Sequence, residues 1–312
     1  MSRLETFAPR PAVVYALLVA ATAVWGSGMV LGRGVIAEIP PIGLGFWRLT
    51  VAILVLLPLV LPELIRLAPL IRRKWKLITL LGILQVWPQT IVLLALNYTT
   101  AINATLLNAA QPAITAILTA VLLRDRVTRG QAAGIVLALI GIVVMVSRGD
   151  IHVFLDLDYN RGDWLVLMAV AMWAFYTIKL PAVPREMGLA TTLFLVSLSG
   201  TLTMTPFYIY ETLFVRAMQW NTITLATTLY MGIVISAISI FVWNMCIRAV
   251  GPQKTSIFLN LNPVFAALFA IVFLGEELYL YHLAGAVLVC GGITMVVRLA
   301  RRRAVSTDKA DA

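Results

Sequence analysis

The sequence predicts an all-α polytopic membrane protein with ten transmembrane helices, arranged as two inverted five-helix repeats. Three observations lead to this fold class. The composition is too apolar for a water-exposed surface, apolar runs of about 20 residues, the length of a membrane-spanning helix, recur along the chain, and the second half repeats the first with its loop charges reversed. Together they indicate that the chain is built for a lipid bilayer.

The composition itself excludes an ordinary soluble domain. Of 312 residues, 61% are hydrophobic and 12% are charged, whereas globular domains carry about 25% charged residues. The first apolar run follows Arg3 and Arg10 as in a signal peptide, but it is too long and lacks a small-residue cleavage site, so we expect a retained span. Cys246 and Cys290 fall in apolar segments without disulfide or metal-ligand spacing, and we expect no metal or cofactor.

Ten candidate spans lie between charged or Pro/Gly-rich breaks. The spans are 12–32, 41–62, 76–96, 102–123, 129–148, 162–181, 188–209, 222–244, 252–274 and 279–298. They divide the chain into repeat 1 over 1–149, an outer linker over 150–161, repeat 2 over 162–298 and a basic tail over 299–312.

The basic residues predict the orientation, because cytoplasmic loops carry the excess of Lys and Arg. Nineteen of the 24 fall on the side of both termini, and Arg48 lies within a span. The four on the opposite side are Arg33, Arg148, Arg161 and Arg216. Both termini are therefore expected to be cytoplasmic. The net charge of +10 suits contact with anionic lipid headgroups, and its scatter over loops argues against nucleic-acid binding.

An internal repeat relates the two halves. An offset of 151 aligns 99–146 with 250–297 without a gap and places Pro112 on Pro263, while an offset of 148 places Trp25 on Trp173. Since each copy holds five spans, an odd number, the second enters the membrane from the opposite side, as in many secondary transporters. A duplication that merely enlarges a helix bundle remains the alternative.

The second copy carries a familiar pattern. Asn262-Pro263-Val264, Phe273 to Leu278, Gly285-Ala286 and Gly291-Gly292 resemble the EamA repeat, as does Trp25-Gly26-Ser27 in the first span. EamA proteins belong to the drug/metabolite transporter superfamily, and the chain looks like their bacterial YddG-type exporters of aromatic and other neutral amino acids. The resemblance implies a plasma-membrane exporter with a central cavity between two five-helix halves. Arg124-Asp125-Arg126 departs from the Gly-Glu-Glu of the second copy, so no role is carried over there.

Ionisable residues inside a membrane are by default functional, yet none of the 14 carboxylates falls in the middle of a predicted span. His152 and His282 lie near the outer side and are expected to be interfacial. A proton relay through a buried carboxylate therefore has no candidate, which favours uniport over proton-driven export of cationic drugs. Arg48 could bind a substrate carboxylate bidentately; the alternative is that it snorkels or pairs with carbonyls of a neighbouring helix.

Uncharged polar and aromatic residues near mid-span supply the remaining candidates for solute contact. Indoles can stack on an aromatic solute or attract its ammonium group, and amides can hold its polar groups, although packing and interhelical hydrogen bonds are the alternatives. Matched prolines free backbone carbonyls one turn earlier and mark helix breaks in transporters. The predicted substrate-binding residues are Trp25, Arg48, Gln85, Trp87, Asn108, Gln111, Trp173, Tyr176, Asn260 and Asn262. The predicted helix-break or gating residues are Pro88, Pro112 and Pro263.

These observations predict a transporter and not an enzyme, exporting neutral, particularly aromatic, amino acids by alternating access. The expected partners are a small-molecule substrate and membrane lipid, and we expect a monomer in the bacterial inner membrane. The alternative is an exporter of drugs or quaternary ammonium ions. A phosphate-ester carrier should place several basic residues at depth, and a membrane enzyme should pair the Asp150 to Asp163 carboxylates with His; neither pattern is present.

Overall fold

The computed structural model describes residues 11–35, 39–95, 97–99, 101–124, 127–147, 150, 160–274 and 279–308. These residues form helices and their connections, and no strand lies among them. The helices are α1 Pro11–Val35, α2 Pro41–Arg66, α3 Ala68–Ala95, α4 Ala101–Ala109, α5 Gln111–Leu123, α6 Arg129–Val146, α7 Arg161–Ala182, α8 Leu189–Val215, α9 Thr222–Val250, α10 Pro252–Ser256, α11 Leu261–Leu274 and α12 Leu280–Asp308. Asp125, His152, Asp156, Asp158, Glu276 and Glu277 lie outside the described residues.

The chain is a multi-pass membrane protein. Seven helices of the described chain are long and apolar enough to cross a bilayer: α1, α2, α6, α7, α8, α9 and α12. The three other predicted spans fall on α3, on α4 with α5, and on α10 with α11, so the count of ten stays a prediction. Large apolar side chains point outward along the helices, with Leu59, Val121 and Val287 each at least 70% exposed. Such a surface is compatible with lipid and not with water.

Several helices extend beyond the predicted spans because charged residues do not end them. α2 continues to Arg66 and α3 begins at Ala68, so the basic segment expected as a loop between them is mostly helical. α9 runs to Val250 and not to 244, and α12 continues through the basic tail to Asp308. Lys and Arg have good helix propensity, so a helix can extend beyond the hydrocarbon core that the apolar run measures.

The helical pattern changes next to two of the three predicted prolines. α4 and α5 are separated at Ala110, two residues before Pro112. In the second half, a 3₁₀ segment over Ile257–Asn260 precedes α11, which contains Pro263. Pro88 behaves differently, because α3 continues through it without interruption. Neighbouring helices can compensate for the one backbone hydrogen bond that a proline removes, so Pro88 is not a helix break.

Helices α6 and α12 pack through four glycines. A Cβ on Gly134 would lie 2.7 Å from the carbonyl oxygen of Gly292, and a Cβ on Gly141 would lie 2.7 Å from that of Gly285. The later residue of α6 meets the earlier residue of α12, so the two helices run antiparallel. Small residues at a membrane interface allow this close backbone approach.

Helices α2 and α8 are also antiparallel neighbours and are joined at both ends by carboxylates. Glu63, near the end of α2, accepts from the Gly188 backbone N–H at 3.2 Å and from the Thr191 hydroxyl at the start of α8. Glu211, near the end of α8, accepts from the backbone N–H groups of Ile42 at 3.2 Å and Gly43 at 2.6 Å. Each carboxylate therefore satisfies donors that a helix N-terminus leaves unpaired.

Candidate functional site

Aromatic side chains from α1, α7 and α9 meet in the protein core. The Trp25 ring lies 6.1 Å from the Trp173 ring, edge to face, and 4.8 Å from the Trp243 ring. The Trp173 ring lies 5.4 Å from that of Tyr176. All four belong to or pack against the largest group of buried apolar residues. Trp25 thus bridges α7 and α9 from the first half of the chain.

Asn244 completes this arrangement. The Tyr176 hydroxyl donates to the Asn244 side-chain oxygen at 2.8 Å, and Asn244 directly follows Trp243 in α9. Ring contacts and this hydrogen bond link Trp25, Trp173, Tyr176 and Asn244, and Trp25 also contacts Trp243, the chain neighbour of Asn244. We call these five residues the Trp25 cluster.

The cluster is buried, and close helix packing holds it in place. Tyr176 and Trp243 are 0% exposed and Asn244 is 1% exposed, whereas Trp25 is half-buried. Beside Trp25, a Cβ on Gly26 would lie 2.7 Å from the Phe265 Cβ, so only glycine lets α11 approach α1 here. The site is therefore a closely packed aromatic cluster between α1, α7, α9 and α11.

Polar donors in the cluster are left without partners. Trp173 Nε1, Trp243 Nε1 and Asn244 Nδ2 are buried and have no hydrogen-bond acceptor among the described residues. An unpaired buried donor costs about 1–3 kcal/mol. The cluster therefore has donors that the oxygen acceptors of a ligand would satisfy, and its rings carry apolar area and π faces.

Of the predicted site residues, the structure brings Trp25, Trp173 and Tyr176 together. Trp87 lies elsewhere: its indole N–H donates to the Thr203 hydroxyl at 2.9 Å and its ring meets Phe207 edge on. These contacts join α3 to α8. Trp87 therefore contributes to the contact between those two helices and does not join the Trp25 cluster.

Arg48 has a partner on a neighbouring helix, as one of its two alternatives predicted, but the partner is a side chain. Its guanidinium donates to the side-chain oxygen of Gln89 on α3. An arginine inside a membrane needs such a polar partner. The contact ties α2 to α3, and Gln89 is exposed.

The predicted amides are distributed along the two interrupted helices and α3. Asn108 donates to the Ala104 carbonyl at 2.9 Å and Gln111 to the Thr115 hydroxyl at 3.4 Å, so these amides bond within their own segment. Three others contain buried atoms without a partner among the described residues: Gln85 Nε2 and Oε1, Asn260 Nδ2 and Asn262 Oδ1. These three amides keep hydrogen-bond donors or acceptors that a solute could bind.

Sequence reasoning missed Trp243 and Asn244. The predicted span ended at residue 244, which placed both side chains at the edge of the membrane. Because α9 continues to Val250, they lie more than a turn inside the helix. A polar Asn beside a Trp in an otherwise apolar segment was the available signal.

Buried carboxylates of the described chain are engaged in structural contacts. Asp163 accepts from the Thr99 hydroxyl and from the Asn160 backbone N–H, and Glu211 accepts from the start of α2. Asn160 and Asp163 also form the capping box that begins α7. Neither carboxylate belongs to the Trp25 cluster.

Both halves of the chain match one protein family. The sequence pattern of the EamA-like transporter family matches twice, over residues 12–147 and 160–298. The chain belongs to the EamA-like transporter family. In this EamA-like transporter each match covers one half, and the Trp25 cluster draws residues from both. The functional class is therefore a transporter.

Relatives of this EamA-like transporter have similar length but few assigned substrates. It is 24% identical over 282 residues to the uncharacterized transporter YyaM of Bacillus subtilis, covering 90% of this chain and 92% of that protein. It is 29% identical over 213 residues to a probable terminal-alkyne amino-acid exporter of Streptantibioticus cattleyicolor, covering 66% and 67%.

A solved crystal structure shares the fold of this EamA-like transporter. The two superpose with a TM-score of 0.76 at 17% identity, over 94% of this chain and 99% of the other. At this identity the likeness concerns the arrangement of helices alone.

Proposed function

We propose that this EamA-like transporter exports neutral, particularly aromatic, amino acids across the bacterial inner membrane by alternating access. The Trp25 cluster is the observation that carries the proposal. It offers indole and phenol rings for an apolar side chain and unpartnered N–H groups for a polar head, and none of its five residues is a carboxylate, lysine or arginine. A solute with no net charge suits such a site. The exporter named among the relatives supports an amino-acid substrate.

The proposal includes an inverted repeat of five spans with both termini in the cytoplasm, acting as a monomer. The glycine contacts between α6 and α12 support it. An offset of 151 exchanges Gly134 with Gly285 and Gly141 with Gly292, and it therefore exchanges the two contact pairs with each other. Equivalent helices that pack antiparallel in this way are expected when a pseudo-two-fold axis in the membrane plane relates the two repeats. Trp25 and Trp173, equivalent at an offset of 148, also touch each other.

Uniport is the proposed mode of transport. A membrane-embedded acid that exchanges protons needs to be free to release and rebind them during the cycle. The described buried carboxylates, Asp163 and Glu211, instead cap helices through backbone N–H groups. Export would then follow the outward concentration gradient of the amino acid.

The test is flux in liposomes containing the purified protein. Labelled phenylalanine or tryptophan should equilibrate faster than in empty liposomes, with saturation and without an imposed pH gradient. Trp25→Ala, checked for native elution and thermal unfolding, should lose most of this flux. Amino-acid flux equal to that of empty liposomes contradicts the function, and flux that appears only with a pH gradient contradicts uniport.

A second candidate is export of quaternary ammonium ions. The four rings of the Trp25 cluster favour it, because aromatic faces attract a cation that lacks hydrogen-bond donors. Cells that express the protein would then resist such compounds, and proteoliposomes would take up a labelled quaternary amine that phenylalanine does not compete with. Uptake of the amine at the empty-liposome rate excludes this candidate.

A further inference from the structure

The hydrogen-bonding groups of the Trp25 cluster are unbalanced. Trp173 Nε1, Trp243 Nε1 and Asn244 Nδ2 lack acceptors among the described residues, and these side chains are 9%, 0% and 1% exposed. The Asn244 oxygen, the natural acceptor, already receives the Tyr176 hydroxyl proton. Indole N–H is a donor only. The cluster therefore has three unpartnered donors and one amide oxygen, which already accepts from Tyr176.

The positive charge beside the cluster also favours a ligand with an anionic acceptor group. Arg248 lies one helical turn after Asn244 on α9 and contacts Thr192 at 3.3 Å. Glu63 and Glu211 accept from the starts of α8 and α2, and neither takes part in the described contacts of the cluster. In a low-dielectric interior a nearby positive charge stabilises an anion and disfavours a cation. A carboxylate offers about four acceptor positions on two oxygens, enough for three donors.

We infer that Trp173, Trp243 and Asn244 form the subsite for the carboxylate of the transported solute. The inference deepens the proposed function and rests on it. The ligand class is an aromatic or apolar carboxylate, with or without an ammonium group. An amine that lacks the carboxylate leaves all three donors unpaired and is rejected.

Two analogues of phenylalanine separate the groups of the solute. 3-Phenylpropionate keeps the carboxylate and lacks the ammonium group; phenethylamine has the reverse. In proteoliposomes, 3-phenylpropionate should inhibit labelled phenylalanine flux with a half-inhibitory concentration within a few-fold of unlabelled phenylalanine. Phenethylamine should be weaker by about tenfold or more, since losing hydrogen bonds to a charged group costs about 1.5–3 kcal/mol.

Matched variants test the donors themselves. Trp173→Phe and Trp243→Phe keep an aromatic ring and remove the N–H. Each should raise the KM for phenylalanine about tenfold, the loss expected for one charge-assisted hydrogen bond, and reduce the preference for 3-phenylpropionate over phenethylamine. Trp47→Phe is the control, because its indole N–H donates to the Tyr208 hydroxyl at 3.0 Å, outside the cluster; its preference should equal that of the wild type.

Thermal unfolding of the detergent-purified protein gives a readout that does not need transport. 3-Phenylpropionate should raise the Tm of the wild type, and phenethylamine at the same concentration should not. Trp173→Phe and Trp243→Phe should abolish that rise. Without ligand, their Tm should not fall below that of Trp47→Phe, because they lose an unpaired donor whereas Trp47→Phe loses a hydrogen-bonded one.

The outcomes separate this inference from the proposed function. Suppose that phenethylamine inhibits labelled phenylalanine flux as well as unlabelled phenylalanine does, while 3-phenylpropionate neither inhibits the flux nor raises the Tm. The carboxylate subsite is then overturned and amino-acid export stands. If phenylalanine flux is absent but 3-phenylpropionate raises the Tm only in proteins that retain both indoles, the subsite stands and the proposed function fails. A Tm unchanged by 3-phenylpropionate together with no competition overturns the inference.

Discussion

Glu63 and Glu211 each bind the N-terminal turn of the helix that carries the other. Glu63 lies near the end of α2 and caps the start of α8, and Glu211 lies near the end of α8 and caps the start of α2. The two residues are 148 positions apart, the same offset that relates Trp25 to Trp173. Under the proposed inverted repeat they are equivalents on opposite faces of the membrane, and α2 and α8 form one clamped pair.

Removing either carboxylate should destabilise the protein. Glu63→Ala and Glu211→Ala each leave two donors unpaired, and hydrogen bonds to charged groups contribute about 1.5–3 kcal/mol. Each variant should lower the Tm in detergent, and Glu→Gln should lower it less because one amide oxygen remains. Glu186→Ala is the control, because Glu186 is an exposed residue of the connection between α7 and α8. Equal Tm values for Glu63→Ala, Glu211→Ala and Glu186→Ala would refute the clamp.

Adjacent glycines on α12 should respond differently to the same substitution. In Gly292→Ala the new Cβ would lie 2.4 Å from the Gly134 carbonyl oxygen and 2.8 Å from the Ala138 backbone nitrogen, so α6 and α12 must separate. Overpacking of this kind costs about 1–3 kcal/mol. In Gly291→Ala the nearest atom is Leu137 Cδ2 at 3.5 Å, an ordinary contact.

Thermal unfolding of the two glycine variants in the same detergent measures this difference. We expect a clear loss of Tm for Gly292→Ala and an unchanged or slightly higher value for Gly291→Ala, because alanine favours a helix by about 0.8–1.0 kcal/mol over glycine. A similar loss in both variants would mean that backbone contact at Gly292 does not govern the packing.

Arg48→Gln should affect stability more than substrate affinity. The guanidinium is committed to Gln89, so losing it breaks the α2–α3 contact and leaves the Trp25 cluster intact. We expect a lower Tm and a phenylalanine KM within about twofold of wild type, the range of a surface change. Gln89→Leu leaves the Arg48 guanidinium without this hydrogen-bond acceptor and should lower the Tm further. A raised KM with an unchanged Tm would instead make Arg48 a substrate ligand.

The two cysteines should differ in reactivity. Cys246 is 0% exposed and contacts the Val14 carbonyl at 3.6 Å, whereas Cys290 is exposed on α12. Burial in apolar surroundings makes a thiol inert. An apolar maleimide should label Cys290 in the folded protein. In Cys290→Ser, labelling should begin only as the protein unfolds; rapid labelling at low temperature would show that the α1–α9 contact opens in the native state.

Much of the fold could be predicted from the sequence. The apolar runs locate most helices within a few residues, since crossing a bilayer requires a minimum length. The larger differences between helix ends and predicted spans, at Ala68, Val250 and Asp308, occur where helices continue past the apolar run into basic residues. The breaks at Ala110 and over Ile257–Asn260 lie next to the matched prolines. Pro88 is also a proline near the middle of a predicted span, but α3 continues through it without a break.

The sequence by itself determined the membrane class, the transporter family and the candidacy of Trp25, Trp173 and Tyr176. Only the tertiary structure decided that Trp243 and Asn244 join them, that Trp87 and Arg48 bond elsewhere, and that Glu63 and Glu211 clamp α2 to α8. In a soluble helix the apolar stripe identifies the inner face, but here lipid and protein interior are both apolar. Hydropathy therefore indicates depth along a helix and not rotation about its axis, and rotation decides which polar groups meet.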